Sequence, residues 1–183
     1  MSSVPAGWLI AAAVLVGALA LVAGSVALAR RRRSIGYLLR RIAWEQLEDV
    51  IIPDDVDGEI HLDRALLTPR GILVLEVRHV SGTLFWGDQL EQWTVLDGAR
   101  RVVLQNPLPG MRARRHAVHA LAPTVPVDGR VLLVGGVTIA GETPPGVVTP
   151  EDLVAEIPAR DRKPPPARLS EAWQALKKAS RPV

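Results

Sequence analysis

The spacing of apolar positions divides the chain into segments of different structure. Residues 8–29 carry no charged side chain, and a run of this length is enough for a helix that crosses about 30 Å of hydrocarbon. Residues 34–49 then place apolar side chains every three or four positions, as one face of a helix does. Beyond residue 50, short apolar runs separated by Pro, Gly, Asn and Asp predict strands and turns.

The same pattern predicts a mixed α/β domain after residue 33. Strands are predicted at 50–52, 60–67, 72–77, 83–86, 92–96, 101–104, 130–134, 137–140 and 146–148. Helices are predicted at 34–49, 111–122 and 150–156. The helix at 150–156 has a well-defined N-terminus, because Thr149 provides a hydroxyl cap and Pro150 occupies the first helical position.

The strands at 60–67 and 72–77 flank Thr-Pro-Arg-Gly at 68–71, which predicts a type I turn closing a hairpin. With that turn, the numbers of paired residues add to 139, so Asp63 faces Glu76 and His61 faces Arg78. A three-residue loop would break this pairing. The other face of the hairpin carries Leu62, Leu66, Leu73, Leu75 and Val77 and is predicted to be core.

Two carboxylates that face each other on a half-buried sheet repel. Such a pair persists when a cation lies between the acids, when a neighbour compensates them, or when one acid stays protonated. Arg78 lies two residues beyond Glu76 on the same predicted face and is the nearest compensating group. A divalent metal ion at Asp63 and Glu76 is the alternative, since hard cations take carboxylate oxygens.

Several short motifs surround this hairpin. They are Glu-Ile at 59–60, Asp63, Thr-Pro-Arg-Gly-Ile at 68–72, Glu-Val-Arg at 76–78, Ser-Gly at 81–82, Trp93 and Asn-Pro-Leu at 106–108. Together they resemble the NERD (nuclease-related) domain family, which is similar to the PD-(D/E)XK, restriction-endonuclease-like nucleases. The resemblance covers residues 36–121 and extends at most to residue 156. It implies a restriction-endonuclease-like core, a mixed sheet flanked by helices.

The resemblance also implies that Asp63 and Glu76 are ligands of Mg2+ or Mn2+, and that a Lys two residues after the Glu helps to activate water. Here position 78 is Arg, and residues 34–158 contain no Lys. Because Arg keeps its proton, it can stabilise charge but cannot act as a base.

Other family positions differ as well. Gly36-Tyr37 aligns with a Gly-Glu pair of the first helix, although Glu45 or Glu48 could replace that Glu from a later turn. Pro109 and Gly110 stand where the family has Gln after Asn-Pro.

Two functional hypotheses therefore stay open. In the first, the domain is a metal-dependent nuclease in which Arg78 stabilises the phosphorane charge and His61 relays a proton. In the second, the domain is a binding or scaffolding module with a degenerate site, in which Arg78 neutralises the carboxylates.

The distribution of charge limits nucleic-acid binding. Residues 34–158 hold 11 Arg and Lys against 17 Asp and Glu, so the predicted domain is acidic although the whole chain is formally +3. Proteins that grip phosphate backbones present a basic face. The best local candidates for phosphate contact are Arg112, Arg115, His116 and His119 on the helix at 111–122. An ordinary solvated helix face is the alternative.

The two ends of the chain are basic. Four arginines, Arg30–Arg33, follow the apolar segment and predict that residues 1–7 lie outside the cell and the rest of the chain inside. They should also attract anionic lipid headgroups. A cleaved signal peptide is the alternative to this single-pass anchor.

The predicted domain organisation has five parts. These are a short outer N-terminus at 1–7, a transmembrane helix at 8–29, a basic collar at 30–33, a NERD-like domain at 34–158, and a Pro-rich linker with a short amphipathic helix at 159–183. The helix of the last part could touch the membrane, pack on the core or stay mobile. Cysteine is absent, which excludes disulfides and thiolate metal sites.

Overall fold

A computed structural model describes residues 35–54, 58–87 and 89–183. Residues 35–38 belong to an N-terminal unit, and a second compact unit spans Leu39–Val183. The segment predicted to cross a membrane, 8–29, lies outside the described residues. Within the described part of the chain, no helix is both long and apolar enough to span a bilayer.

The larger of two sheets has six strands. From one edge to the other they are Arg181–Pro182 (β10), Glu45–Pro53 (β1), Glu59–Thr68 (β2), Gly71–His79 (β3), Val127–Val134 (β7) and Val147–Val148 (β9). The first four are antiparallel neighbours, whereas β7 runs parallel to both β3 and β9. The sheet is therefore mixed, as predicted.

The smaller sheet has four strands. In spatial order they are Arg100–Gln105 (β6), Gln92–Asp97 (β5), Gly82–Phe85 (β4) and Val137–Ile139 (β8). The predicted second hairpin is confirmed by the antiparallel pairing of β4 with β5. We expected a single sheet, but the chain leaves the first one at Gly82. A Cβ at this residue, whose φ is +103°, would lie 2.3 Å from the Leu96 carbonyl oxygen, so the change of direction depends on glycine.

The helices are Ile35–Ile42 (α1), Leu108–Leu121 (α2), Pro150–Glu156 (α3) and Ala167–Ala179 (α4). The predicted start of α3 is confirmed, because Thr149 and Asp152 form a capping box. Helices α2 and α4 pack into the main apolar cluster, to which they contribute Met111, Val118, Trp173 and Leu176. The opposite face of the larger sheet is buried too, at Leu66, Leu73 and Leu75. Burial on both faces is typical of a sheet with parallel strands.

The predicted helix over residues 34–49 is wrong in its second half. Helix α1 ends at Ile42, and Glu45 already belongs to β1. Strand β1 pairs with β2 over nearly its whole length, from Glu45–Leu67 to Pro53–Glu59. These cross-strand bonds outweigh a helical periodicity that, without packing, stabilises a short helix only weakly.

The predicted register of the β2–β3 hairpin is confirmed. Five pairs run from Thr68–Gly71 to Arg64–Leu75. Gly71 has a φ of +127°, and a Cβ there would lie 2.2 Å from the Pro126 carbonyl oxygen. The turn therefore requires glycine at this position.

The C-terminal segment is part of the compact unit rather than a separate linker and helix. The Trp44 indole donates to the carbonyl oxygens of Asp161 at 3.1 Å and Lys163 at 2.9 Å. Trp173 of α4 is fully buried. Of the three fates we considered for this helix, packing on the core is the one observed, because its apolar side covers the sheet.

Glu45 links α4 to β1. Its Oε2 accepts hydrogen bonds from Lys177 Nζ at 3.0 Å and from Trp173 Nε1 at 2.9 Å. These two bonds lower the pKa of the Glu45 carboxyl below its ordinary value, and the bond from Lys177 has the larger effect. A carboxyl with a lowered pKa stabilises the folded state above its unfolded pKa of about 4.3 and loses that contribution as the pH falls through the folded pKa.

We therefore expect acid to weaken the folded protein partly through Glu45. Urea unfolding at about pH 6 and about pH 3 should show a greater loss of stability in the wild type than in Glu45→Gln, which cannot titrate. The difference should stay under about 1 kcal/mol, because Glu45 is nearly half exposed. Equal losses in the two proteins would contradict the assignment.

Candidate functional site

Glu76 is the buried acid of the site. It lies on β3, one residue beyond the last ladder pair with β2, and only 5% of its surface is exposed. Its Oε1 accepts a hydrogen bond from Arg78 Nε at 2.6 Å, and Arg78 Nη2 approaches the same oxygen. Its Oε2 accepts a hydrogen bond from Arg114 Nη1 at 2.9 Å. Both carboxylate oxygens are thus occupied by guanidinium groups.

Arg114 connects three elements at this site. It projects from α2 to Glu76 on β3, and its Nε donates to the carbonyl oxygen of His61 on β2 at 2.8 Å. Its side chain is 22% exposed, whereas that of Arg78 is 53% exposed. Arg114 is therefore the more desolvated of the two cations, and the geometry of α2 fixes it in place.

Asp63 lies beside this cluster. Its Oδ2 accepts a hydrogen bond from the backbone N–H of Val77 at 2.7 Å. This bond extends the contact between β2 and β3 past the last backbone pair, Arg64–Leu75. The predicted direct pairing of Asp63 with Glu76 lies just beyond the end of that ladder. Asp63 thus binds the backbone of β3, while Glu76 binds the two arginines.

The side of strand β2 that packs into the main apolar cluster changes near Asp63. The main apolar cluster takes Ala65 and Leu67 from one face, yet it also includes Leu62. We predicted that Leu62 lies on the same face as Leu66. This prediction is wrong, because Leu62 belongs to the main apolar cluster and Leu66 does not. On β1, which pairs with β2, Asp49 has a φ of +48°, a left-handed conformation that only Gly, Asn and Asp adopt readily.

The side chain of His61 lies beside β1. We expected it opposite Arg78, but the β2–β3 ladder ends before this pair. Its Cα partner is Ile51 on β1, and its Nε2 lies 3.4 Å from Asp49 Oδ1. The backbone of His61 therefore belongs to the Arg114 cluster, whereas its imidazole interacts with β1.

The sequence of this chain matches a known protein family. The profile of the family described as Nuclease-related domain, NERD, matches residues 27–134, which is more than half of the chain. The chain belongs to the NERD family. It is thus a nuclease-related domain of the restriction-endonuclease-like superfamily. Neither the curated proteins nor the solved structures contain a significant match to it.

The matched region includes all residues of the Glu76 cluster in this NERD domain, but not α3 or α4. The two acids that we considered as replacements on the first helix are engaged elsewhere. Glu45 binds Lys177 and Trp173, and Glu48 pairs with Arg64 at 2.6 Å. Neither acid joins Asp63 and Glu76 in the described structure.

The donor set at Glu76 does not fit a divalent cation. Mg2+ and Mn2+ require oxygen ligands, and both oxygens of Glu76 already accept from arginines. A divalent ion would also lie beside two fixed positive charges. Among the described residues, no group of three His, Asp or Glu side chains is arranged to hold a metal.

The sequence pattern did not identify Arg114 as a residue of this site. The indication was present in the helical spacing, since Arg114 lies three residues after Met111 and four before Val118, both of which are buried. A charged residue in the apolar stripe of a helix indicates a buried partner. The identity of that partner, 38 residues away in sequence, required the tertiary structure.

The four predicted phosphate-contact residues separate into two pairs. Arg112 and Arg115 line a cavity between α2 and β7, together with Arg130. His116 and His119 are exposed on α2 but do not line that cavity. The structure therefore brings the two arginines toward a third one that the helix pattern could not reveal.

Proposed function

We propose that this NERD domain is a membrane-tethered binding or scaffolding module with a degenerate nuclease-related site. The observation that carries the proposal is the engagement of both Glu76 oxygens by Arg78 and Arg114. Compensation by a neighbour was one of the three ways in which a buried acid can persist here. The two arginines supply it with fixed charges that cannot exchange with solvent as a metal ion does.

The chemistry of the surrounding groups supports the same proposal. Hydrolysis requires a group that can accept a proton from water, and guanidinium groups keep their protons at any accessible pH. The imidazole of His61, which we considered as a proton relay, lies near Asp49. The two arginines are therefore suited to stabilise the fold rather than to activate water.

The tether is proposed from the sequence. Residues 8–29 carry no charge and precede Arg30–Arg33, so a single span would place the domain on the cytoplasmic side of the cell membrane. Anionic lipid headgroups would be the natural partners of the four arginines.

The alternative is a metal-dependent nuclease. It is favoured by Asp63 Oδ1, which has no hydrogen-bond partner among the described residues and could bind a cation if Glu76 were released. In that case the arginine pair would be displaceable, and divalent metal would stabilise the protein.

Metal titration separates the two functions. We expect no rise in the melting temperature of the wild-type chain when Mn2+ or Mg2+ is added, because both Glu76 oxygens already accept from guanidinium groups whose positive charges would repel the ion. In the double variant Arg78→Lys with Arg114→Gln, which removes both guanidinium groups, Mn2+ should raise the melting temperature. Wild-type stabilisation by Mn2+ that is lost in Asp63→Ala would instead support the nuclease, as would wild-type cleavage of DNA or RNA.

A further inference from the structure

A cavity of about 290 Å3 lies between the first half of α2 and β7, and the loop before β9 closes one side of it. Three of its lining residues are arginines: Arg112 and Arg115 from α2, and Arg130 from β7. The only acid in the lining is Asp128. We call this cavity the arginine groove, and it is separate from the Glu76 cluster, to which Arg114 of the same helix belongs.

The positive charge of the groove is largely unpaired. Arg130 Nη1 binds Asp128 Oδ1 at 2.5 Å, and its Nη2 lies 3.5 Å from Glu156 Oε2. By contrast, Arg112 and Arg115 are exposed and have neither an ion pair nor a hydrogen bond within the described part of the chain. After Asp128 has offset Arg130, two guanidinium groups without a partner among the described residues remain at one small cavity.

Two glycines shape the lining of the groove. A Cβ at Gly129 would lie 2.8 Å from Met111 Sδ, so the absence of a side chain lets α2 approach β7 closely. Gly146 has a φ of +85°, and a Cβ there would come no nearer than 3.9 Å to any atom outside its chain neighbours. The groove is thus open beside Gly146 and narrow beside Gly129, with the arginines of α2 at its rim.

The dimensions and charge favour a compact anion. Guanidinium groups present planar pairs of donors that match phosphate oxygens. A volume of about 290 Å3 is near the lower end for small-ligand sites. A long nucleic acid would need further basic surface along its backbone, and residues 34–158 carry more acids than bases.

We propose that the arginine groove binds the phosphomonoester group of a small molecule or of a lipid headgroup, with Arg112 and Arg115 as the direct contacts and Arg130 as the fixed base of the site. This assigns a ligand chemistry to the proposed binding module. It also stands independently of the state of Glu76, because none of the groove residues takes part in that cluster.

The proposal is tested by calorimetry at low salt, which measures the affinity of the full chain for glycerol 3-phosphate. In the double variant R112Q/R115Q, affinity should fall about tenfold or more, since two charge-assisted contacts are lost. The matched control R100Q/R101Q removes two exposed arginines from β6, and its affinity should change less than about twofold. Arg112 and Arg115 are exposed and have no partner among the described residues, so the double variant should fold, and thermal melting checks this.

A second titration distinguishes a lipid headgroup from a soluble metabolite as the source of the phosphate. It measures the binding of dihexanoyl phosphatidic acid below its micellar concentration. Binding about tenfold tighter than that of glycerol 3-phosphate would indicate a lipid, and equal binding a soluble metabolite; both outcomes support the site. The proposal is overturned if the wild type binds neither compound, if both double variants lose affinity equally, or if only duplex DNA or RNA binds. None of these results depends on added metal, so they are independent of the test at Glu76.

Discussion

Replacement of Glu76 by glutamine should lower the free energy of unfolding by about 3 kcal/mol, because it leaves a partly buried arginine without its counter-charge. Glu76 is 5% exposed and the Arg114 side chain 22%. Arg78, which is more exposed, can turn to solvent, but Arg114 is held between α2 and the His61 carbonyl. Thermal unfolding of the full chain, followed by circular dichroism, measures the change, which should be a fall of about 10 °C.

Glu48→Gln provides the matched control. Glu48 forms an ion pair with Arg64 on neighbouring strands, but its side chain is 45% exposed, so its loss should cost under about 1 kcal/mol. The double variant Glu76→Gln with Arg114→Gln should recover part of the loss, because no uncompensated charge then remains. If Glu76→Gln and Glu48→Gln are equally stable, the arginine pair does not hold the site in the way proposed.

Replacement of Trp173 by alanine should be similarly severe, at about 3–5 kcal/mol, since it opens a large cavity in the core. Trp173 is fully buried and packs in the main apolar cluster with Leu176. Its indole also donates to Glu45 on β1. Chemical unfolding followed by circular dichroism should therefore show that α4 stabilises the whole compact unit.

Trp86→Ala is the control for this change. Trp86 is only partly buried and donates to the carbonyl oxygen of Glu142 at 2.7 Å. We expect its replacement to cost about 1–2 kcal/mol, from one lost hydrogen bond and less burial. Trp173→Phe keeps most of the buried volume and should fall between the two. A loss for Trp173→Ala no greater than that for Trp86→Ala would show that α4 is dispensable.

The charges of α2 serve two separate purposes within one helix. Arg114 is used inside the fold, where it neutralises Glu76. Arg112 and Arg115 face the arginine groove and have no acidic partner in the described residues. In our two proposals, α2 therefore contributes Arg114 to the Glu76 cluster and Arg112 and Arg115 to a separate anion-binding groove.

The sequence by itself determined the features that depend on neighbouring residues. The turn at 68–71 fixed the register of the hairpin, because Pro and Gly define local backbone geometry. Thr149 and Asp152 likewise fixed the start of α3. The motifs around Asp63 and Glu76 sufficed to recognise the NERD family.

Only the tertiary structure decided which distant groups meet. Residues 45–49 have a helical pattern, yet pairing with β2 makes them a strand. The partners of Glu76 and the addition of Arg130 to the arginine groove depend on how α2 lies against β3 and β7. The physical reason is that burial and ion pairing act between side chains that are close in space, and the spacing of residues along a chain constrains such distances only within one helix or hairpin.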